Sequence, residues 1–280
     1  MMICLFCLTA RARQGKPVYR QEDSIRIVSL LKEAAAMREK PKSWMLWLGK
    51  RFIGTPYVGG TLDRTQEEVL VVNTRQLDCT TYVEMLTAMT MCIRKNETSF
   101  EAFCRHLRHV RYVGGKVEYT KRQHYFTLWI EDNEQEGIVK EIQDNPPFTA
   151  IQTIQVDWMT THKHHYKMLN AHPEWIKGIR QLEESINGKS YRYIPKANIA
   201  NSELFRKTIH DGDIIVIVTR KKGLDTTHVG IASWHGDGLH LLNASSIRKK
   251  VVDEPLLLKS YMARQPNQTG IRVCRVLADN

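Results

Sequence analysis

Three residues that lie far apart in the sequence have side chains that could act together as a nucleophile, a base and an orienting group: Cys79, His228 and Asn243. A cysteine attacks as its thiolate, and a neighbouring histidine can take up the thiol proton and later protonate the leaving amine. An asparagine amide can hold the imidazole in one tautomer. The set predicts amide hydrolysis that needs neither a metal nor an organic cofactor, if the fold brings the three side chains together.

Cys79 lies where a polar turn becomes a helical pattern, in the segment L-D-C-T-T-Y-V-E-M-L over residues 77–86. Asp78 is the expected N-cap, and apolar residues then recur at helical spacing. At the first turn, unpaired backbone N–H groups and the helix dipole are expected to lower the pKa of Cys79 and to stabilise an oxyanion. The alternative is a small structural cysteine that begins the helix.

A predicted hairpin tests whether His228 can meet Asn243. The stretches D-I-I-V-I-V-T (213–219), H-V-G-I-A-S-W (228–234) and L-H-L-L-N-A (239–244) predict antiparallel strands. If 235–238 form the turn, position 234 pairs with 239 and Gly230 pairs with Asn243. His228 and Asn243 then share a face as diagonal neighbours about 7–8 Å apart, and Gly230 leaves room for the ring. A slip of one residue would separate them.

The remaining patterns predict an α+β arrangement in which a helix carrying the cysteine precedes the sheet. Helices are expected over 22–50, with a turn at Pro41, over 98–110 and over 173–187. Strands are expected over 69–73 and 125–130. Residues 54–63 are expected to form a constrained loop. One domain over 21–280 is predicted, with an inserted mixed subdomain at about 95–200.

The chain is basic, with 41 Lys and Arg against 30 Asp and Glu and a net charge of +11. Such a surface favours anionic partners such as nucleic acid, acidic lipid or a carboxylate-rich cell-wall polymer, or is simply solvated. No nucleic-acid motif accompanies the basic residues, so nucleic acid is not expected. No apolar run reaches the roughly 20 residues of a membrane span. The oligomeric state is left open.

The first residues, M-M-I-C-L-F-C-L-T-A-R-A, resemble the tail of a secretory signal, which predicts a signal remnant and tail over 1–20 and a periplasmic or secreted location. A frayed terminus and a cytoplasmic location are the alternative.

Cys4 and Cys7 fall in this segment, and the other cysteines form no C-x-x-C pair, so neither a zinc site nor a redox dithiol is indicated. Cys92 and Cys104 are expected to be buried, with a disulfide left open. The histidines at 162, 164 and 165 are expected on a solvated surface.

Four separated blocks resemble the NlpC-type cell-wall cysteine hydrolases, a bacterial branch of the papain-like fold. The blocks are G-T-P-Y-V-G-G (54–60), D-C-T-T (78–81), T-H-V-G-I (227–231) and N-A-S (243–245). The neighbouring residues, with H-Y-F-T-L-W-I-E-D-N in the middle region, resemble more narrowly the N-acetylmuramoyl-L-alanine amidase-like branch. The resemblance covers about 45–275.

The resemblance implies that Cys79 is the nucleophile, His228 the base and Asn243 the orienting residue, where many relatives have histidine. Tyr57 matches a tyrosine that approaches the catalytic cysteine; a purely structural tyrosine of the constrained loop 54–63, the glycine loop, is the alternative. Asp78 either caps the helix or also contacts the amino group of the substrate.

Departures from the family pattern and the middle region leave further roles open. D-C-T-T replaces the usual D-C-S-G, which leaves the oxyanion geometry around Thr80 open, and Gly59 replaces a tryptophan in the loop. The resemblance further suggests that Arg122, His124 and Tyr125 line the cleft and bind peptide carboxylates; a surface strand edge is the alternative.

The implied reaction is hydrolysis of the amide between N-acetylmuramic or anhydro-N-acetylmuramic acid and L-alanine in peptidoglycan-derived muropeptides. An endopeptidase that cuts γ-D-glutamyl–diamino acid bonds would use the same residues, as would an acyltransferase. A non-catalytic protein that binds cell wall or nucleic acid is the alternative of another class. Rapid alkylation of one thiol at neutral pH is expected of the enzyme and slow uniform labelling of the binder.

Overall fold

The computed structural model describes residues 15–144 and 146–277, so most of the predicted signal remnant, with Cys4 and Cys7, lies outside the described residues. The helices are α1 (Gln21–Ala36), α2 (Trp44–Lys50), α3 (Cys79–Arg94), α4 (Phe100–Arg111), α5 (Phe126–Gln135), α6 (Trp158–Thr161), α7 (Lys167–Ala171), α8 (Ile176–Ile186), α9 (Glu203–Thr208) and α10 (Leu258–Ala263). The strands are β1 (Val139–Ile142), β2 (Ala150–Thr153), β3 (Ser190–Pro195), β4 (Ile214–Thr219), β5 (Thr226–Trp234), β6 (Leu239–Ser245), β7 (Lys250–Asp253) and β8 (Gln268–Val276).

An antiparallel sheet with the strand order β2-β3-β8-β4-β5-β6-β7 organises the molecule, and β1 adds a further pairing with β8. Every residue of β4 is buried, because apolar side chains cover both faces of this central strand. One face packs on the helices around α3, and the other packs on the side chains of α9 and α10. The mixed α+β class with an antiparallel sheet is confirmed.

Helix α3 is the core helix that places Cys79. Its residues from Thr81 to Thr90 are all buried, because the sheet covers one side and α1, α2 and α4 cover the others. Truncation of a fully buried side chain such as Leu86 to alanine would cost about 2–5 kcal/mol. A helix held this firmly fixes the position of its first residue relative to the sheet.

The middle region, 95–200, both extends the main sheet and forms a separate apolar cluster. Its strands β1 and β3 pair with β8, and β2 pairs with β3. Its remaining helices pack around Tyr125, Met159 and Ile179, which belong to an apolar cluster distinct from the two that cover the sheet. The region therefore builds a wall beside the end of the sheet where β5 begins.

Two predicted strands are wrong. In 69–73 only Val71 pairs, in a single bridge to Val18, because no neighbouring strand continues the ladder. Residues 125–130 begin helix α5, although aromatic and β-branched residues favoured a strand. The carboxylate of Asp225 accepts the Thr127 N–H at 2.7 Å, so a residue 98 positions away satisfies the helix start.

The described cysteines, Cys79, Cys92, Cys104 and Cys274, are all free thiols. Cys92 and Cys104 are buried in the core around α3, as the sequence predicts. His164 and His165 are exposed, as predicted, whereas His162 is half-buried and stacks on the Trp158 ring with the ring centres 3.8 Å apart. No helix among the described residues combines the length and apolar character that crossing a membrane requires.

Candidate active site

Cys79 is the first residue of α3, and Asp78 caps this helix. The Asp78 Oδ1 atom accepts the Thr81 N–H at 2.8 Å, and the Thr81 hydroxyl in return accepts the Asp78 N–H at 3.0 Å. This reciprocal capping box explains the second threonine of D-C-T-T. It confirms the cap predicted for Asp78 and fixes the backbone on which the cysteine sits.

The hairpin of β5 and β6 has the predicted register. Trp234 pairs with Leu239 and Ile231 with Leu242, so the next pair along the ladder is Gly230 with Asn243. A Cβ at Gly230 would lie 2.9 Å from the Asn243 Cβ and 2.8 Å from a Leu241 methyl carbon. The absent side chain therefore makes room for Asn243 and Leu241.

The predicted contact between His228 and Asn243 is present. The Nε2 atom of His228 lies 2.9 Å from Asn243 Oδ1, and the Asn243 Nδ2 donates to the Leu241 carbonyl at 3.0 Å. Because that carbonyl can only accept, the amide orientation is fixed and its oxygen faces the ring. His228 must therefore donate from Nε2, which leaves Nδ1 unprotonated in the neutral imidazole and able to accept a proton.

Cys79 and His228 line the same cavity, which has a volume of about 220 Å³. The sulfur receives hydrogen bonds from the Val229 backbone and from the backbone and hydroxyl of Thr80. Val229 directly follows His228 in β5, so the thiol reaches the strand that carries the histidine. Thr80 thus contacts the sulfur itself and is part of the cavity wall.

The pKa of Cys79 is not lowered as predicted. Burial, with a smaller contribution from the charge of Asp78, raises the pKa of this thiol to about 11 despite three hydrogen bonds to the sulfur. Burial also lowers the pKa of His228, against the hydrogen bond to Asn243 and the charge of Asp78. Both shifts disfavour a charged group inside the protein, so the free site holds a neutral thiol and a neutral imidazole.

Tyr57 lies in the glycine loop close to the thiol. The loop is tied down by the Tyr57 N–H, which donates to the Lys249 carbonyl at 2.9 Å, and by the Val58 N–H, which donates to the Leu77 carbonyl at 3.0 Å. Burial raises the pKa of Tyr57 to about 12, with further contributions from Cys79 and Asp78. Its hydroxyl is therefore a neutral hydrogen-bond donor beside the cysteine.

Arg122 does not line the cavity. Its guanidinium is buried and binds the carboxylate of Asp63 at 2.5 Å and that of Glu68 at 3.5 Å. It also lies 4.8 Å from the centre of the Tyr119 ring. The expectation that Arg122 lines the cleft is wrong, and this cation already neutralises two acidic side chains of the protein.

His124 and Tyr125 line the cavity, but neither offers a charge to it. The His124 Nε2 lies 2.8 Å from the Tyr119 carbonyl, and burial holds the pKa of His124 well below its usual value. The Tyr125 hydroxyl donates to Glu183 at 2.7 Å and accepts the Met159 N–H at 3.0 Å. The alternative of an exposed strand edge is also wrong, since Tyr125 is buried at the start of α5.

Other residues of the cavity wall were not found from the sequence. Trp158, Met159 and Tyr166 come from the middle region, where no motif marks them. Asp225, three residues before His228, could have been noticed from the turn L-D-T-T-H. Tyr166 also lines a second cavity of about 740 Å³ beside the glycine loop, so the cleft continues from the thiol towards Gly59 and Gly60.

A helix whose first residue is a cysteine, packed on an antiparallel sheet that presents a histidine and an asparagine, is an arrangement suited to acyl chemistry. The model of the N-acetylmuramoyl-L-alanine amidase-like family matches residues 47–271. The chain belongs to this family.

Solved structures agree with this assignment. A Bacteroides uniformis N-acetylmuramoyl-L-alanine amidase is 35% identical with a TM-score of 0.77, over 83% of this chain and 97% of that one. A Bacteroides fragilis protein, provisionally named a xylanase, is 35% identical with a TM-score of 0.77, over 82% and 100%. A Legionella pneumophila protein shares the fold at 22% identity and a TM-score of 0.70, over 92% and 96%. No curated protein matches the chain.

Proposed function

We propose that the chain is a papain-like cysteine amidase of the NlpC type that hydrolyses the amide between N-acetylmuramic or anhydro-N-acetylmuramic acid and L-alanine in peptidoglycan fragments. The observation that carries the proposal is the fixed tautomer of His228, whose Nδ1 is a free base in a cavity shared with the Cys79 thiol. The family and the amidase from Bacteroides uniformis support the choice of bond.

The first half-reaction forms a thioester. His228 Nδ1 takes the Cys79 proton while the sulfur attacks the lactyl carbonyl carbon, and the carbonyl oxygen becomes an oxyanion. In the first turn of α3, the Thr81 and Tyr82 N–H groups are bound by Asp78 and the Thr80 backbone contacts the sulfur, whereas the Cys79 N–H is not taken up by the cap and can donate to the oxyanion. The imidazolium then protonates the departing L-alanine amine as the C–N bond breaks.

The second half-reaction releases the acid. Water attacks the thioester, His228 accepts a water proton, and the C–S bond breaks with return of that proton to the sulfur. Asn243 holds the ring in place through both steps, because its oxygen accepts the Nε2–H in the neutral and in the charged imidazole. An acyltransferase would pass the same thioester to an amine or alcohol instead of water.

The size of the substrate follows from the middle region. Trp158, Met159 and Tyr166 close one side of the cavity at the thiol, and the space there is about 220 Å³. A wall this close to the thiol suits the end of a soluble muropeptide better than cross-linked wall. The net charge of +11 suits a substrate rich in carboxylates.

Glycan hydrolysis, suggested by the name of the Bacteroides fragilis structure, is not favoured. Glycosidases generally use two carboxyl groups that flank the scissile bond. Asp225 supplies the acidic side chain of this cavity wall, and both of its oxygens already accept backbone N–H groups, from Thr127 at 2.7 Å and Thr226 at 2.8 Å. A xylanase mechanism would need a second carboxylate beside the thiol.

A defined disaccharide-tetrapeptide separates the candidate reactions by product mass. The amidase releases the free disaccharide and a peptide that begins with L-alanine. An endopeptidase releases a sugar that still carries L-Ala-D-Glu, and a binding protein releases nothing. Cys79→Ala is the matched control, and turnover that survives this change would refute the proposal.

An exported location is part of the proposal and rests on the pattern of the first twelve residues. Mass measurement of the protein recovered from the periplasm or medium of expressing cells tests it. A product shortened within 1–20 is expected, and full-length protein confined to the cytoplasm would contradict it.

A further inference from the structure

The turn between β5 and β6 brings together side chains that ligate metals. One ligand atom from each of His235, Asp237 and His240 lies within 4.8 Å of the others. The two imidazole rings stack with their centres 4.1 Å apart. This cluster is separate from the residues that line the cavity around Cys79.

His240 is oriented as metal-binding histidines are. Its Nδ1 lies 2.8 Å from the Glu254 carbonyl, which can only accept, so Nδ1 carries a proton. In a neutral imidazole Nε2 is then a lone pair, yet it faces the Asp237 Oδ1 at 3.0 Å. Either a second ring proton, which makes His240 an imidazolium paired with Asp237, or a metal ion between the two atoms satisfies this contact, and a backbone carbonyl behind Nδ1 is the usual support of a ligating histidine.

Asp253 adds a second carboxylate from β7. Its Oδ2 lies 3.0 Å from His235 Nε2 and accepts the Ser233 hydroxyl at 3.0 Å. Its Oδ1 is buried and has no hydrogen-bond partner within the described part of the chain. A buried carboxylate oxygen left unpaired is costly, and a positive charge nearby would offset that cost.

We propose that His235, Asp237 and His240 bind one divalent transition-metal ion such as zinc. With Asp253 beside them, this ion joins the β5–β6 turn to β7. Two imidazoles and one carboxylate lie within 4.8 Å of one another, and Asp253, 3.0 Å from His235 but outside this mutual spacing, can complete a tetrahedral zinc site after a small shift. The His235 Nε2 atom lies 3.0 Å from the Asp253 Oδ2, and the His240 Nε2 atom lies 3.0 Å from the Asp237 Oδ1. Both distances are close to the separation of about 3.3 Å between neighbouring ligand atoms around tetrahedral zinc. The side chains of His235 and Asp237 are 39% and 64% exposed, so the ion has access from solvent.

A second cluster, Cys92, Glu97 and His106, is a weaker candidate for the same ion. The Glu97 carboxylate already binds Arg105 at 2.6 Å and His106 at 2.7 Å. Burial raises the pKa of Cys92 to about 12, which disfavours the thiolate that a metal needs. The hairpin cluster is therefore the site to test.

The cation would stiffen the hairpin that carries His228 and Asn243. It would tie the turn, at the far end of β5 from His228, to the neighbouring strand β7. Its role is structural and does not depend on the proposed amidase reaction, so its test uses no activity measurement.

The experiment is zinc titration of chelator-treated full chain, followed by calorimetry and thermal unfolding, with Cys79→Ser present throughout to remove the thiol of the main cavity. One zinc per chain is expected, with a Tm rise of about 5 °C or more at a hundredfold excess over Kd. His235→Asn and Asp237→Asn are expected to weaken binding at least about tenfold each. Both residues are exposed, so the variants should fold.

His164→Asn is the matched control, because it removes one imidazole from the other surface histidine cluster. Unchanged zinc affinity is expected for it. Cobalt(II) should give the visible absorption of a tetrahedral site in the parent and lose it in His235→Asn. The proposal is overturned if no stoichiometric zinc binds, if the hairpin variants bind as the parent does, or if His164→Asn abolishes binding.

Discussion

Asn243 presents its oxygen, not its nitrogen, to His228: the amide Nδ2 is held by the Leu241 carbonyl at 3.0 Å while Oδ1 lies 2.9 Å from the imidazole Nε2. The hydrogen-bonding direction of one carboxamide therefore sets which ring nitrogen is the base. Both side chains are buried, so water does not compete strongly for either contact.

Replacement of Asn243 by alanine should lower kcat about 10- to 100-fold with a smaller change in KM, because the ring loses its fixed tautomer. The hydrogen bond to Asn243 raises the pKa of His228, so the acid limb of the pH profile should also move to lower pH. Steady-state kinetics over a pH series measures both. Asn198→Ala, an exposed amide elsewhere, is the control, and an unshifted acid limb in Asn243→Ala would contradict the assigned role.

The pH dependence of the free enzyme should reflect a neutral pair. Because burial lowers the pKa of His228 below its usual 6.5, the base stays unprotonated and kcat/KM should hold to below pH 6.5 before it falls. Thiolate absorbance, as the difference between wild type and Cys79→Ala, should grow only as the pH nears about 11. Substantial thiolate absorbance at neutral pH would instead indicate a resting ion pair.

A neutral resting thiol also changes the alkylation result that the sequence led us to expect, which was rapid labelling of Cys79. A neutral thiol should react slowly with iodoacetamide at neutral pH even in an active enzyme, because the thiolate is the reactive form. Slow labelling therefore does not by itself identify a binding protein, and product analysis is the decisive measurement.

Gly230 should tolerate no side chain. Gly230→Ala would place a Cβ 2.9 Å from the Asn243 Cβ and 2.8 Å from Leu241, which should cost about 1–3 kcal/mol in the free energy of unfolding. Displacement of Asn243 should lower kcat as well. Chemical denaturation and kinetics measure the two effects. Gly236→Ala, in the turn of the same hairpin with open space around it, should change neither, and equal behaviour of the two variants would refute the packing argument.

Local patterns predicted those parts of the site whose structure is itself local. The cap at Asp78 and the register from Trp234 to Leu239 depend on neighbouring residues or on one tight turn. The expected strand at 125–130 failed because its helix start is satisfied by Asp225, which no local pattern reveals. The expected lowering of the Cys79 pKa failed because burial outweighs the hydrogen bonds to the sulfur, and burial at one residue depends on the whole fold.

Asp78 can be tested for its two suggested roles separately. Asp78→Asn keeps an oxygen that can accept the Thr81 N–H, so the free energy of unfolding should change by less than about 0.5 kcal/mol, whereas Asp78→Ala should lose about 1 kcal/mol. Removal of the charge should lower the pKa of Cys79, since Asp78 raises it. Denaturation and thiolate titration measure these changes. A raised KM in Asp78→Asn with full stability would indicate a contact with the substrate amine, and an unchanged KM would leave only the cap.

Arg122 should matter for stability and not for recognition of carboxylates. Arg122→Met would leave the buried Glu68 carboxylate without its cation and release Asp63 in the glycine loop, so the free energy of unfolding should fall by about 3–5 kcal/mol. The double variant Arg122→Met with Glu68→Gln should recover part of this loss, because it removes the unpaired charge. Denaturation of the three proteins measures the coupling. KM is then measured at temperatures where all three proteins remain folded, for muropeptides with amidated and with free carboxyl groups. The two KM values should change in the same proportion. A rise in KM for the free carboxylates alone would show that Arg122 binds the substrate.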